Sequence, residues 1–324
     1  MLKTRFTELF GLDYPIMSAP MAMHSGATLA AAVSSAGGLG TFGAINPGGE
    51  EWVREQIAGV RSQTDRPFGV GFITQYIPLL PQNFDAAIDE RPPAVIFSFT
   101  DPEPYLTKAK DAGAITICQV QTMQLARIAV DGGADVLVAQ GNEAGGHTGT
   151  MNLLPLLCAV IDAYPNVPVL AAGGIASGRA LAAVLAAGAD GAVLGTAFLA
   201  TNEAVEVSDA HKERIVASDG QDTVFQSVYD IASGGPWPDG IGGRVYRNDF
   251  VNEWLGREDE LRAKREEIAP SLQAAHERDD ASRMPVYMGQ GAGAIDAVHP
   301  AADVLRMICD DAERILHSEP SLLA

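Results

Sequence analysis

His147 stands in the segment AQGNEAGGHTG (139–149), directly after Gly145-Gly146. Imidazole is the side chain best matched to moving protons near neutral pH. A glycine-flanked histidine after an apolar run is therefore a candidate acid or base. A solvated loop histidine is the plainer reading of such a residue taken alone. Glu143, in the same segment, could orient that imidazole or merely cap the loop. A second histidine, His24, lies in SAPMAMHSG (18–26). It is either another proton carrier or a loop residue ahead of a helix that Ser25 caps. Two further segments suit an anion. AAGGIASG (171–178) and LGTAF (194–198) each place glycine after a short apolar run. Backbone N–H groups can approach phosphate oxygens closely there, although tight turns alone would also use glycine. Ala19-Pro20-Met21 forms a rigid apolar edge, which could lie along a flat ring or belong to the core.

The elements that must position these residues repeat along the chain. Apolar runs at 14–20, 39–44, 68–73, 93–99, 114–119, 135–140, 167–174 and 191–196 read as eight strands. They are near-continuous, as strands buried on both faces should be. Between them lie Ala/Leu-rich amphipathic stretches. One spans 26–38 and ends in Gly37-Gly38, another runs from 47 to 61, and Asp101-Pro102 opens a third. The joints KDAGAITI, VDGGADVLV and LAAGADGAVL share one form: helix end, glycine turn, strand. Recurrent units of this kind need a parallel sheet. The expected class is α/β, a (β/α)8 TIM barrel, with an open doubly wound sheet as the alternative. In such barrels the chemistry sits on the loops after the strands, and the last two of those loops commonly hold phosphate. Residues 1–202 and 285–324 read as the barrel, and 203–284 as a small inserted segment, a lid over its mouth. Within it, 253–269 reads as one charged helix and SGGPWPDGIGGR (233–244) as loop. A final helix is expected over 300–317.

Composition narrows the function classes. The chain has 324 residues, 47% of them hydrophobic, and a formal net charge of −19. That field repels phosphate backbones and anionic lipid heads, so nucleic acid and membrane surfaces are poor partners. Cys118, Cys158 and Cys309 show no metal or disulfide spacing. No apolar run follows the basic N-terminal residues, and the expected location is cytoplasmic.

Taken together, AQGNEAGGHTG, AAGGIASG, LGTAF, YPIMSAPM, AAAVSSAGGLGTFGA, YMGQGAG (287–293) and PWPDGIGGRVYRN (236–248) resemble the nitronate monooxygenase family, over nearly the whole chain. The resemblance implies an FMN-binding barrel without metal. It implies that Ala19, Pro20 and Met21 line the flavin ring, that Gln119 meets its polar edge, and that Gly146 and Ala172 belong to the cofactor shell. Gly173, Gly174, Gly195 and Thr196 would hold the phosphate, Gly289-Gln290 would close the site, and His147 would be the active-site histidine. The chain departs from the pattern at Gly71, where many members carry Asn and where Gln75 would have to compensate. It departs again at Thr122 in QVQTMQLAR, where some relatives carry a lysine. The implied reaction is oxidation of a nitronate or nitroalkane by O2 to a carbonyl compound and nitrite, with His147 as general base. The alternative on the same scaffold is an NAD(P)H-dependent quinone or enoyl-thioester reductase. A metal-free lyase on a sugar phosphate would want a Schiff-base lysine or paired carboxylates at strand ends, and neither is found there. A flavin or phosphate carrier would not need the histidine.

Overall fold

The computed structural model describes residues 2–318. Eight parallel strands form one sheet: β1 (Ile16–Ser18), β2 (Gly40–Gly43), β3 (Phe68–Ile73), β4 (Ala94–Ser98), β5 (Ile115–Val120), β6 (Val136–Gln140), β8 (Val169–Ala172) and β9 (Gly191–Leu194). A short strand β7 (Gly146–Thr148) interrupts the count. The order is β1-β9-β8-β6-β5-β4-β3-β2. The ring closes between its two ends: Leu39 N–H donates to Ile16 O at 2.9 Å and Ser18 N–H to Leu39 O at 3.0 Å. That closure makes a barrel and removes the open-sheet alternative. Two strands, β1 and β8, fall furthest short of their apolar runs. Pro15 and Pro168 supply no ladder N–H at the start of β1 and β8. At the other end of β8 the chain turns away through Gly173 and Gly174, at φ 119° and 69°.

The alternation of side chains builds two apolar layers. Ala94, Ile96, Ile117, Val136, Val138 and Leu170 fill the barrel, and Phe6 and Phe10 of the N-terminal helix Arg5–Phe10 pack into the same cluster. Arg5 holds that helix to the barrel through two hydrogen bonds to the Asp190 carboxylate, at 2.8 and 2.7 Å. Val95, Phe97, Leu137 and Ala171 face outward to the helices. The C-terminal helix Ala301–Ser318 packs on helices Ala27–Ser35 and Gly178–Ala186 and completes the outer ring. Gly178 permits this approach, because a Cβ there would lie 2.5 Å from Asp311 Cβ.

Residues 203–284 contain β10 (Thr223–Gln226) and β11 (Gly242–Tyr246). These pair antiparallel in the order β10-β11-β7, so a ribbon reaches over to the loop after β6. Val228, Tyr229, Phe250, Val251, Trp254 and Leu261 form a separate apolar cluster beneath it. The expected single helix at 253–269 is instead split among Asp249–Trp254, Glu258–Ala263 and Arg265–Glu277. Gly256 breaks the first joint in a left-handed conformation, φ 83°, which lets Trp254 and Leu261 both turn inward. Among the described residues no helix is long and apolar enough to cross a membrane.

Candidate active site

A cavity of about 350 Å³ opens at the C-terminal ends of the barrel strands. Its floor is Ala19, Pro20, Gly71, Ser98, Gln119 and Gln140, and its roof includes Asp230, Trp237 and Tyr287. A smaller cavity of about 60 Å³ adjoins it, lined by Ala172, Gly173, Gly174, Ile175, Ala176 and Gly291. Ala19, Gln119, Gly145, Gly195 and Thr196 face both.

His147 sits on β7, paired with Gly243 of β11. Gly146 before it takes φ 74°, a conformation that favours glycine. The backbone is fixed from the barrel side as well. Gln121 Nε2 donates to Gln140 Oε1 at 2.8 Å, and Gln140 Nε2 donates to His147 O at 3.0 Å. The ring is held by Asp230, whose Oδ1 lies 2.8 Å from Nε2. A carboxylate accepts, so this pairing assigns the proton of a neutral imidazole to Nε2 and leaves Nδ1 as the basic nitrogen. Trp237 stacks flat on the imidazole, with centroids 3.5 Å apart and planes within 10°. Phe99 stands edge-on to Trp237 at 5.1 Å and has φ 80°. A phenylalanine in that region is strained, and such strain concentrates at functional sites.

The small cavity has the form of an anion cradle. The N–H groups of Gly173, Gly174, Gly195 and Thr196 meet no acceptor among the described residues. Two of these glycines use left-handed backbone to turn their amides. Four unpaired donors around a space of this size suit one phosphate.

Nitronate monooxygenase is the description of the family model that matches residues 3–82 and 73–311. The chain belongs to that family. It is 35% identical over 251 residues to the (3aS,4S,5R,7aS)-5-hydroxy-7a-methyl-1-oxo-octahydro-1H-indene-4-carboxyl-CoA dehydrogenase of Rhodococcus jostii, covering 78% of this chain and 67% of that protein. Among solved structures, FabK from Thermotoga maritima matches with TM-score 0.88 and 34% identity, covering 99% of this chain and 100% of that one. The nitroalkane oxidase of Streptomyces ansochromogenes matches with TM-score 0.81 and 30% identity, covering 98% and 99%. Membership of the nitronate monooxygenase family makes this barrel an oxidoreductase.

The residues that the family resemblance points to are mostly brought together. Ala19, Pro20, Met21, Gln119, Gly146, His147, Gly195 and Thr196 line the large cavity. Ala172, Gly173 and Gly174 line the small one. Gly289 and Gln290 line neither, and Gln290 is exposed. Gly289 instead lies back to back with Gly145: a Cβ on it would sit 2.6 Å from Gly145 N. It packs against the segment before His147 while its N–H donates to the Thr196 hydroxyl at 3.0 Å, and Gly291 reaches the cavity wall. Gln75 lies outside the cavity wall too. Gly71 does line it, and a Cβ there would fall 2.2 Å from Pro20 Cβ, so the Pro20 edge itself requires the glycine.

Three readings of single residues change. The Glu143 carboxylate accepts from Leu153 N–H at 3.0 Å and caps the next helix, so it does not orient His147. Ser25 does not cap helix Ala27–Ser35; its hydroxyl bonds Met21 and holds the turn after β1. His24 lines the cavity with Nδ1 on Ala22 O at 3.0 Å, and burial lowers its pKa. Asp230, Phe99, Tyr76, Ser98 and Gln140 line the cavity without a role read from the sequence, and Trp237 and Tyr287 stand in segments noted there only for their family resemblance. Gln140 carried a local signal, as a polar residue ending an apolar run.

Proposed function

We propose that the protein is an FMN-dependent oxidoreductase that oxidises alkyl nitronates and nitroalkanes with O2 to a carbonyl compound and nitrite. The observation that carries this reading is the His147–Asp230 hydrogen bond, which leaves Nδ1 as a base beside an apolar chamber. FMN, when bound, supplies the electron acceptor and the reaction with O2. The chain's own residues fit that group. The N–H groups of Gly173, Gly174, Gly195 and Thr196 hold its phosphate, Ala19-Pro20-Met21 flanks its ring, and Gln119 serves its polar edge. One phosphate-sized cradle supports a mononucleotide over a dinucleotide. His147 takes the proton at the carbon bearing the nitro group. Asp230 keeps the imidazole in the productive tautomer and balances the imidazolium that results. In this reading residues 203–284 act as the lid: Trp237 covers His147 and keeps water from the reacting carbon.

A second reading is NAD(P)H-dependent reduction of an enoyl thioester. The likeness to FabK and to a carboxyl-CoA dehydrogenase, whose substrate is a CoA thioester, favours it. Both reactions move a proton at a carbon next to an electron-withdrawing group, so the same histidine would serve as base in one and acid in the other.

One experiment separates them. The purified protein is analysed for released FMN, then mixed anaerobically with ethylnitronate, or with NADH in the presence and absence of crotonyl-CoA, and flavin absorbance is followed. Fast bleaching by ethylnitronate is expected. Bleaching by NADH alone, with turnover of crotonyl-CoA, would replace the first reading by the second. His147→Ala is expected to retain FMN and lose ~10²–10⁴-fold on neutral nitroethane. It should lose much less on preformed ethylnitronate, which arrives already deprotonated. Equal losses on both forms would reject the base role.

A further inference from the structure

We propose that the Tyr287 hydroxyl donates a hydrogen bond to the substrate oxygen that gains negative charge as His147 removes the adjacent proton, which makes Tyr287 a catalytic residue. The proposal rests on His147 acting as a base toward carbon.

Proton removal beside a nitro or thioester group moves charge from carbon onto oxygen. A site that accelerates it needs a donor aimed at that oxygen. No lysine or arginine lines the cavity among the described residues, so the donor must be neutral. The candidates can be sorted by what they already do. Both ends of the Gln140 amide are engaged, one with Gln121 and one with the His147 carbonyl. The Thr196 hydroxyl accepts from Gly289 N–H at 3.0 Å, and Thr196 also borders the small phosphate-sized cavity, where its O–H has an anion to serve. Ser98 and Gln119 lie at strand ends, on the floor where the ring cofactor belongs. The Trp237 ring lies face to face with His147 and acts as its cover. Tyr76 has its ring against Trp237, centroids 5.8 Å apart, and makes no ring contact with His147.

Tyr287, unlike Tyr76, has its ring against that of His147. Its ring lies 5.9 Å from the His147 ring, tilted by 43°. Its hydroxyl has no hydrogen-bond partner among the described residues, and the half-buried residue lines the cavity. Another tyrosine nearby shows what the fold does with a merely structural phenol. Tyr229 Oη is engaged by Asn248, by Arg283 O and by Met284 O, at 3.0, 2.9 and 3.1 Å. A hydroxyl that faces a cavity without a protein partner is free to serve a ligand there. The Tyr287 backbone is also clamped: its carbonyl accepts from His211 Nε2 at 2.9 Å, and it bridges Val245 of β11. Base and donor are thus fixed to the same small ribbon, His147 on β7 and Tyr287 beside β11. Burial, then the nearby Asp230 carboxylate, pushes the phenol pKa up, so the hydroxyl keeps its proton at working pH.

Tyr287→Phe removes only the oxygen and preserves the ring contacts and the backbone clamp. The readout is hydrogen–deuterium exchange at the α-carbon of nitroethane in D2O, followed by NMR under anaerobic conditions on the FMN-loaded protein. Exchange reports proton removal without net oxidation. We expect Tyr287→Phe to keep its circular dichroism and its FMN, and to lose ~10²–10³-fold in exchange and in kcat on nitroethane. On preformed ethylnitronate, already anionic, the loss should fall mainly on KM. Exchange that depends on His147 but not on Tyr287 overturns this proposal and leaves the base reading intact. A loss at Tyr76→Phe without one at Tyr287→Phe overturns it as well. A wild-type protein that catalyses no exchange overturns both.

Discussion

At His147 the two ring nitrogens have different neighbours, and the difference is set by an oxygen from elsewhere in the chain. Nε2 faces Asp230 at 2.8 Å, while Nδ1 has no protein partner among the described residues. Replacing the carboxylate by an amide keeps the shape and removes the preference, because an amide both donates and accepts. Asp230→Asn should therefore lower kcat on nitroethane by ~10²–10⁴-fold with FMN binding unchanged. The double variant with His147→Ala should be no worse than His147→Ala alone, since the two residues act as a unit. Additive losses in steady-state kinetics would show that Asp230 works independently. The sequence marks His147 by its glycine neighbours and its place after an apolar run. It does not mark Asp230, which sits 83 residues further on inside VYDIAS and looks like any helix carboxylate. Glu143 is the nearer acid and caps a helix instead. Proximity in sequence is a poor guide where a loop must be crossed by a ribbon from another part of the chain.

Among the elements, the strand runs were legible because burial on both faces leaves near-continuous apolar stretches and glycine punctuates their ends. Their ends were less so: the runs at 14–20 and 167–174 include prolines and turn glycines that cannot extend a ladder. The charged stretch 253–269 misled because its composition suits a helix throughout, while Gly256 and the inward demands of Trp254 and Leu261 break it. Glycines carry the close approaches that place the loops over the cavity. Gly71 of β3 is the clearest. A Cβ there would meet Pro20 Cβ at 2.2 Å and Cγ at 2.6 Å, and a proline ring has little freedom to withdraw. Gly71→Ala should thus destabilise the fold by about 1–3 kcal/mol. On the proposed function it should also loosen FMN, because Pro20 belongs to the edge proposed to flank the flavin ring. Thermal melting and the rate of FMN release on dilution measure the two effects. An unchanged melting temperature with normal FMN retention would mean that the β1 loop can give way.

For the whole molecule, the acid limb of stability has a nameable source. His211, in helix Asp209–Val216, is enclosed and donates from Nε2 to Tyr287 O. Burial first, then His24, pushes its pKa down from 6.5 to about 4. Between those two values the unfolded chain binds a proton that the folded chain refuses. Stability therefore rises with pH across that window: it is full above about 6.5 and is lost as pH falls toward 4. The slope contributed by one such group approaches about 1.4 kcal/mol per pH unit. His211→Gln retains a donor for the Tyr287 carbonyl and removes the titration. Its melting temperature should fall less steeply than that of the wild type between pH 6.5 and 4.5. Parallel curves would assign the acid limb to other groups, His24 first among them.

The ribbon β10-β11-β7 joins the His147 loop to the segment that carries Asp230 and Trp237. On this scaffold, reactivity and selectivity are accordingly not separable modules. A protein engineer who exchanges residues 203–284 to admit a different substrate replaces, in the same cut, the carboxylate that holds the His147 imidazole and the indole that stacks on it. Retargeting without losing turnover requires keeping the ribbon and residues 227–241, which join β10 to β11 and carry Asp230 and Trp237, and redesigning only what hangs beyond them.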